Sequence, residues 1–187
     1  RPWDRAPGED DLVDATGDGD PADILDQTEH AFSAEGIAGS EDSIWNDNNF
    51  EGPHWIHGCD DGEKLKGFAR DDRMFGHGGR DSMKGKAGDD YMAGGKGADK
   101  MWGGKGQDTF VFEDKGGKDK VMDFDAKGRV HDVIDLAEVS AIKGWKDLVN
   151  NHLEETGKGV WIKAEGAEIF LKGVDIEHLD KGDFLFG

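Results

Sequence analysis

Between residues 58 and 112 the isolated apolar side chains recur at an interval of nine: Leu65, Met74, Met83, Met92, Met101 and Phe110. Four of the chain's five methionines fall in this row. The interval belongs neither to an amphipathic helix, whose apolar face repeats about every 3.6 residues, nor to a long strand, which alternates residue by residue. It fits a short unit repeated end to end, and six copies run without a gap from Gly58, Gly67, Gly76, Gly85, Gly94 and Gly103. The first six positions of each unit are glycine-rich with an acidic end and predict a tight turn. The last three place one apolar residue between two others and predict a short strand with one side chain inward. Such a strand has no stability alone, so neighbouring units must stack into a solenoid. Two units complete a coil of 18 residues, which puts alternate turns on opposite edges.

Outside the repeats the pattern changes. Val121, Met122, Phe124, Val133 and Ile134 read as strands that close the end of the solenoid. Trp145, Leu148, Val149 and Leu153 stand at helical spacing within residues 144–157, with Gly157 as a stop, and His152 beside that face reads as a packing residue. Residues 159–163 and 168–174 read as the two strands of a hairpin. In front, residues 1–39 read as an acidic linker containing a candidate helix, with Asp20 as N-cap, Pro21 at the first helical position and Ile24, Leu25, Ala31 and Phe32 on one side. Asp14, Thr16, Asp18, Gly19 and Asp20 echo an EF-hand loop, but Leu25 stands where the loop needs Glu. Residues 40–57, with Ile44, Trp45, Phe50, Trp55 and Ile56, are the expected N-terminal cap of the solenoid.

The sixth position of the repeats reads Glu63, Asp72, Asp81, Asp90, Asp99 and Asp108. Stacking places Asp72, Asp90 and Asp108 on one edge and Glu63, Asp81 and Asp99 on the other, with neighbours about 4.8 Å apart. Carboxylates that close repel one another unless a cation lies between them. Carboxylate and turn-carbonyl oxygens are hard donors, and six to eight of them at about 2.3–2.6 Å suit Ca²⁺. The composition points the same way: 42 acidic against 23 basic residues, a net charge of −19 and only 35% hydrophobic residues leave apolar burial too weak to fold the chain unaided. The same charge excludes nucleic acid and anionic membrane surfaces as partners. Lys84, Lys86, Lys96, Lys100 and Lys105 cluster on the repeats, where they soften the acidic field or form a local basic surface. Cys59, the single cysteine, excludes an internal disulfide. No run is long and apolar enough for a membrane span, so no membrane insertion is expected. The chain opens at Arg1 rather than Met, which suggests a fragment or a trimmed product. No H-E-x-x-H, G-x-S-x-G or G-x-x-x-x-G-K-[ST] motif occurs, and His54 with His57 lacks a third zinc ligand, so no catalysis is expected within the chain.

The unit G-G-x-G-x-D-x-U-x, complete at Gly94 and Gly103 and with His77 and Lys86 in place of the second glycine at Gly76 and Gly85, resembles the calcium-binding nonapeptide of RTX proteins. The resemblance implies a mainly β fold, a calcium-binding parallel β-roll over residues 58–112 followed by a C-terminal β-rich cap with one short helix over 113–187. It implies about three to five Ca²⁺ ions held between successive turns. The implied ligands are the carboxylates of Asp72, Asp81, Asp90, Asp99, Asp108 and Glu63, together with turn backbone at Gly76, Gly78, Gly85, Gly88, Gly94, Gly95, Gly97, Gly103, Gly104 and Gly106. Two positions depart from the pattern: Arg70 stands at a fourth-position glycine, and Glu63 stands for the usual aspartate. Residues 108–136 resemble the segment that follows the family's last repeat and add Asp119 and Asp123 as implied ligands. The closing "LDKGDFLFG" resembles the uncleaved C-terminal signal of type I secretion. The function implied is a secreted, extracellular bacterial module, exported by type I secretion machinery and folded by extracellular Ca²⁺. The alternative is the non-catalytic C-terminal module of a larger extracellular enzyme, such as a serralysin-like protease, a lipase or an alginate epimerase, with extracellular polysaccharide as a partner.

Overall fold

A computed structural model describes residues 53–127 and 131–187. The linker and helix expected over 1–39, the EF-hand-like run and residues 40–52 of the expected cap lie outside the described residues. In chain order the strands are β1 (His54–His57), β2 (Lys64–Lys66), β3 (Asp72–Phe75), β4 (Gly78–Gly79), β5 (Ser82–Ala87), β6 (Tyr91–Ala93), β7 (Lys96–Gly97), β8 (Lys100–Lys105), β9 (Thr109–Glu113), β10 (Gly117–Val121), β11 (Val133–Glu138), β12 (Leu153–Thr156), β13 (Gly159–Ala164), β14 (Ala167–Lys172) and β15 (Phe184–Leu185).

The chain climbs by alternating between two sheets. One has the order β1-β3-β6-β9-β11-β15 and is parallel throughout. The other runs β12-β13-β14-β10-β8-β5-β2, parallel from β2 to β14 and antiparallel where β14, β13 and β12 fold back. Each wall presents one inward row to a thin shared core. In the first, Ile56, Met74, Met92, Phe110, Ile134 and Phe184 stand in register. In the second, Leu65, Met83, Met101, Val121, Leu171 and Val160 do so. All four repeat methionines are fully buried, Met74 and Met92 on one wall and Met83 and Met101 on the other. Flexible unbranched side chains suit so narrow a gap. This is the parallel β-roll, and the strand rows carry the nine-residue register of the sequence into three dimensions.

The C-terminal region extends both walls. β13 and β14 form the expected hairpin around Glu165 and Gly166, with Ala164 opposite Ala167. Phe184 in β15 is buried against Trp145, ring centroids 5.7 Å apart, and Asp183 beside it is paired with His131 at 2.9 Å. The helix expected over 144–157 is much shorter. It comprises α1 (Trp145–Asp147) and one π turn over Leu148–His152. Leu153 belongs instead to β12, opposite Ile162 of β13. Pairing at the open edge of the hairpin outweighs the helical spacing of four apolar residues, and Val149, expected on the packed face, is 41% exposed. Of the expected N-terminal cap, the strand His54–His57 is described, and it forms the outermost strand of the first sheet.

Candidate metal centre

Each turn of the roll delivers its aspartate to the sheet edge where the strand begins, and backbone hydrogen bonds align these aspartates from coil to coil. On one edge the N–H of Asp72 donates to Asp90 Oδ1 at 2.9 Å, that of Asp90 to Asp108 Oδ1 at 3.0 Å, and that of Asp108 to Asp132 Oδ1 at 3.0 Å. On the other, the N–H of Glu63 donates to Asp81 Oδ1 at 2.8 Å, Asp81 to Asp99 Oδ1 at 2.8 Å, and Asp99 to Asp119 Oδ1 at 2.9 Å. The alternate-edge arrangement expected from the 18-residue coil is therefore present as two carboxylate columns. Asp72, Asp81, Asp90, Asp99 and Asp108 are all at most 2% exposed.

The second oxygens decide what the columns can hold. Asp81 Oδ2, Asp90 Oδ2, Asp99 Oδ2 and Asp108 Oδ2 are buried and have no hydrogen-bond partner in the protein. Four orphaned carboxylate oxygens in one small domain are far from the usual satisfaction of buried polar groups. Each lies over the first glycine of its own repeat. A methyl group on Gly85 would collide with Asp90 Oδ2 and lie 2.7 Å from the Gly103 carbonyl; one on Gly76 would collide with Asp81 Oδ2 and lie 2.5 Å from the Gly94 carbonyl. A carboxylate oxygen and a carbonyl oxygen of the next coil thus face the same space, and only glycine leaves that space open. Hard oxygens converging without a donor between them are what a calcium ion requires.

Electrostatics describe the same need. Burial pushes the carboxyls of Asp90, Asp108 and Asp119 up to about 7 and those of Asp81 and Asp132 up to about 6. Like-charged neighbours add to this, Asp108 and Asp72 for Asp90, Asp132 and Asp123 for Asp108, while backbone N–H donors pull the other way. A cation between the coils would offset this repulsion and favour the ionised carboxylates.

The expected site residues fall into place unevenly. Gly95, Gly97, Gly104, Gly106 and Gly88 have positive φ within the turns, and Gly94 and Gly103 carry the close approach of Asp99 and Asp108. Gly78 is a correction: it is the third residue of its repeat, and the left-handed fourth position, at φ 104°, belongs to Gly79. His77 and Lys86 take the left-handed second position without being glycine, at φ 69° and 91°. Glu63 keeps its place, since a methyl on Gly58 would lie 2.7 Å from Glu63 Oε2 and 2.9 Å from the Gly76 carbonyl. Its carboxylate is already engaged by the N–H of Cys59 at 3.1 Å and by the Cys59 thiol at 2.7 Å. Asp119 closes one column, and Asp123 accepts the N–H of Gly103 at 3.0 Å. Asp108 does not end its column, because Asp132 follows it. A signal for Asp132 lies in the sequence: Asp119–Lys120–Val121 and Asp132–Val133–Ile134 both keep the Asp-x-apolar triplet of the repeats beyond the last complete nine-residue unit, and Val121 and Ile134 continue the two core rows. His54 and His57 do not form a zinc pair. Three residues apart on β1 they point to opposite faces, His54 to Asp72 and His57 to His77.

The profile of the RTX calcium-binding nonapeptide repeat, in four copies, matches residues 66–99 and 75–110. The chain carries RTX repeats. RTX nonapeptide repeats bind calcium, and the matched span runs over the turns that end in Asp72, Asp81, Asp90, Asp99 and Asp108. Among solved structures, the AlgE6R2 subunit of the Azotobacter vinelandii mannuronan C5-epimerase is similar with a TM-score of 0.52 and 23% identity, covering 72% of this chain and 92% of that one. The AlgE6R3 subunit of the same enzyme has a TM-score of 0.49 and 23% identity, covering 73% of this chain and 81% of that one. At such identity the likeness to AlgE6R2 speaks for the fold alone. No curated protein sequence matches the chain.

Proposed function

We propose that this chain is a secreted module that folds when it meets extracellular calcium. The observation that carries the reading is the set of buried, partnerless Asp81, Asp90, Asp99 and Asp108 oxygens along both edges of a roll whose core is one side chain deep. At low calcium those carboxylates oppose one another and the roll does not close, which suits passage through a narrow type I exporter. Extracellular sites of this type work at roughly 10⁻⁴–10⁻³ M calcium, and binding adds directly to folding free energy. The ligands are the unpartnered carboxylates of Asp81, Asp90, Asp99 and Asp108 together with the turn carbonyls that face them. Catalysis, where the parent protein has it, lies in an upstream domain outside this chain. The test is far-UV circular dichroism of the full chain in EDTA, in millimolar Ca²⁺ and in millimolar Mg²⁺. β signal that appears with Ca²⁺ and not with Mg²⁺ is expected, because Mg²⁺ demands octahedral geometry and dehydrates reluctantly. A spectrum unchanged by chelation contradicts the reading.

A second reading rests on the outer face of the second sheet. Lys64, Ser82, Lys100, Lys120, Phe170 and Trp161 stand in one outward row across six strands, with Lys66, Lys84 and Trp102 in the next. Lys118 Nζ sits 4.6 Å over Trp161 and Lys84 Nζ 5.1 Å over Trp102. Ammonium groups beside aromatic rings, gathered on one face of a chain of charge −19, suit an anionic polysaccharide, with Lys118 also paired to Glu168 at 2.7 Å. In this reading the chain is the polysaccharide-binding, non-catalytic part of a larger extracellular enzyme, with mannuronan, named for the structurally similar epimerase, as the type of ligand. Calorimetry of the calcium-loaded chain with mannuronan oligomers checks it: binding that Lys100→Glu with Lys120→Glu removes is expected, and equal heat with a neutral glucan contradicts it.

A further inference from the structure

The Asp72 end of its column is built differently from every coil above it. In the later coils the residue at the second position of the turn is left-handed, at His77, Lys86, Gly95 and Gly104. In the turn 67–72, Phe68 holds that position without positive φ, and Arg70 stands at the fourth. The different turn aims the Phe68 N–H at its own aspartate, 2.6 Å from Asp72 Oδ2. Asp72 is therefore absent from the set of carboxylates with an orphaned oxygen. Its other oxygen is engaged as well. β1 pairs with β3 so that His54 lies opposite Asp72, the place each later coil fills with an aspartate, and His54 Nδ1 donates to Asp72 Oδ1 at 3.2 Å. The His54 ring rests against Phe68, centroids 4.7 Å apart, and Lys86 Nζ stands 5.6 Å over the same Phe68 ring. Burial pushes the Asp72 carboxyl up, and the Phe68 N–H, His54 and Lys86 each pull it back.

We propose that Asp72 is not a calcium ligand and that its carboxylate is compensated by His54, the Phe68 N–H and Lys86, so that this column begins with a metal-free coil. This rests on the reading that the other aspartates of the columns take up calcium. The Gly85 carbonyl still faces Asp72 Oδ2 over Gly67, but the carboxylate oxygen there already has a donor, which the equivalent oxygens of Asp81, Asp90, Asp99 and Asp108 lack. A donor on each carboxylate oxygen lowers the charge density and takes up lone pairs that a hard cation would otherwise use, which the equivalent Oδ2 atoms of the later coils keep free. The consequence is an anchored first coil on which calcium-dependent coils stack.

The experiment counts calcium ions bound per full-length chain by competition with a chromophoric chelator. Asp72→Asn is expected to keep the parent's ion count, and Asp90→Asn to hold at least one fewer. Loss of an ion in Asp72→Asn overturns the proposal. The double change Phe68→Gly with Arg70→Gly restores the repeat glycines and frees Asp72 Oδ2; it is expected to bind one ion more than the parent, and an unchanged count overturns the proposal even where Asp72→Asn does not fold. A parent chain that takes up no calcium overturns both this proposal and the calcium-folding reading, whereas a parent that binds calcium with an ion lost in Asp72→Asn overturns this proposal alone.

Discussion

From Leu65 to Phe110 the roll offers its core one side chain in every nine residues, whereas from Val160 to Leu171 the hairpin buries Val160, Ile162, Ala167, Ile169 and Leu171. The roll also encloses Asp72, Asp81, Asp90, Asp99 and Asp108, while no charged residue between Val160 and Leu171 is buried. The two regions share a sheet, with β10 joining β8 of the roll to β14 of the hairpin, yet they solve the folding problem differently. The hairpin excludes water from closely spaced apolar groups and closes its strands with antiparallel pairing. The roll has a thin core and two columns of carboxylates, and under the proposed function its closure is conditional on an ion. On that proposal the β-solenoid makes its stability a function of the medium by keeping the apolar contribution small and the buried charge large.

The largest effect is expected from breaking the thin core itself. Met92 is fully buried and faces Met74 and Phe110 along its row. Met92→Asp places an unpaired carboxylate there at a cost of about 4 kcal/mol or more, which calcium at the edges cannot offset. Tyr91→Asp, one residue earlier and half-exposed under Arg73, is expected to change stability by about 1 kcal/mol or less. Thermal melts at saturating Ca²⁺ separate the two, and equal melting temperatures contradict the inward register. The corresponding change in the hairpin, Ile162→Asp, is expected to be as damaging as Met92→Asp, because full burial is common to both regions.

A sharper test reverses sign between media. In EDTA at pH 7.5, Asp90→Asn removes a carboxyl that burial makes unfavourable to ionise, and the variant is expected to be more stable than the parent. In saturating Ca²⁺ the same change removes a ligand and is expected to destabilise. Asp108→Asn is expected to behave alike, since Asp132 continues the column beyond it. Urea midpoints in the two media check this, and a change of the same sign in both contradicts the conditional role of the column. No such reversal is expected for Ile162→Val in the hairpin.

The pH dependence follows from the same groups and is smaller per residue. Folded-state pKa values near 6–7 for Asp81, Asp90, Asp108, Asp119 and Asp132 lie above the usual 3.8. A raised carboxyl contributes stability that is fully present below its unfolded value and lost as pH rises through the folded value. In EDTA the roll is therefore expected to gain structure as pH falls from about 7.5 to about 5. With Ca²⁺ present the direction reverses over the same window, because protons compete for the ligands. Circular dichroism titrations in both media check the opposite slopes, and parallel slopes contradict them.

Much of this was legible because the repeat writes its register openly. One methionine and one aspartate per nine residues placed Met83 and Met92 on opposite walls and Asp90 between Asp72 and Asp108. The rest needed coordinates for identifiable reasons. Asp132 lies 24 residues beyond Asp108 rather than 18, so the interval that revealed the other carboxylates was broken. Gly78 and Gly79 are adjacent, and only the sign of φ separates them. The helical spacing around Leu153 was real but lost to pairing with β13, a long-range interaction that local periodicity does not contain. His54 carries no signal in its own neighbourhood; its place opposite Asp72 follows from a strand pairing 18 residues away.

Hydrogen exchange with and without calcium tests the central claim most directly. In Ca²⁺ the amides of Met74, Met83, Met92, Met101 and Phe110 are expected to be protected to the level of Ile162 and Leu171 in the hairpin. On addition of EDTA at pH 7.5 the five roll amides are expected to lose that protection, and to regain it when Ca²⁺ is restored. Roll amides that remain as protected in EDTA as in Ca²⁺ would contradict the account.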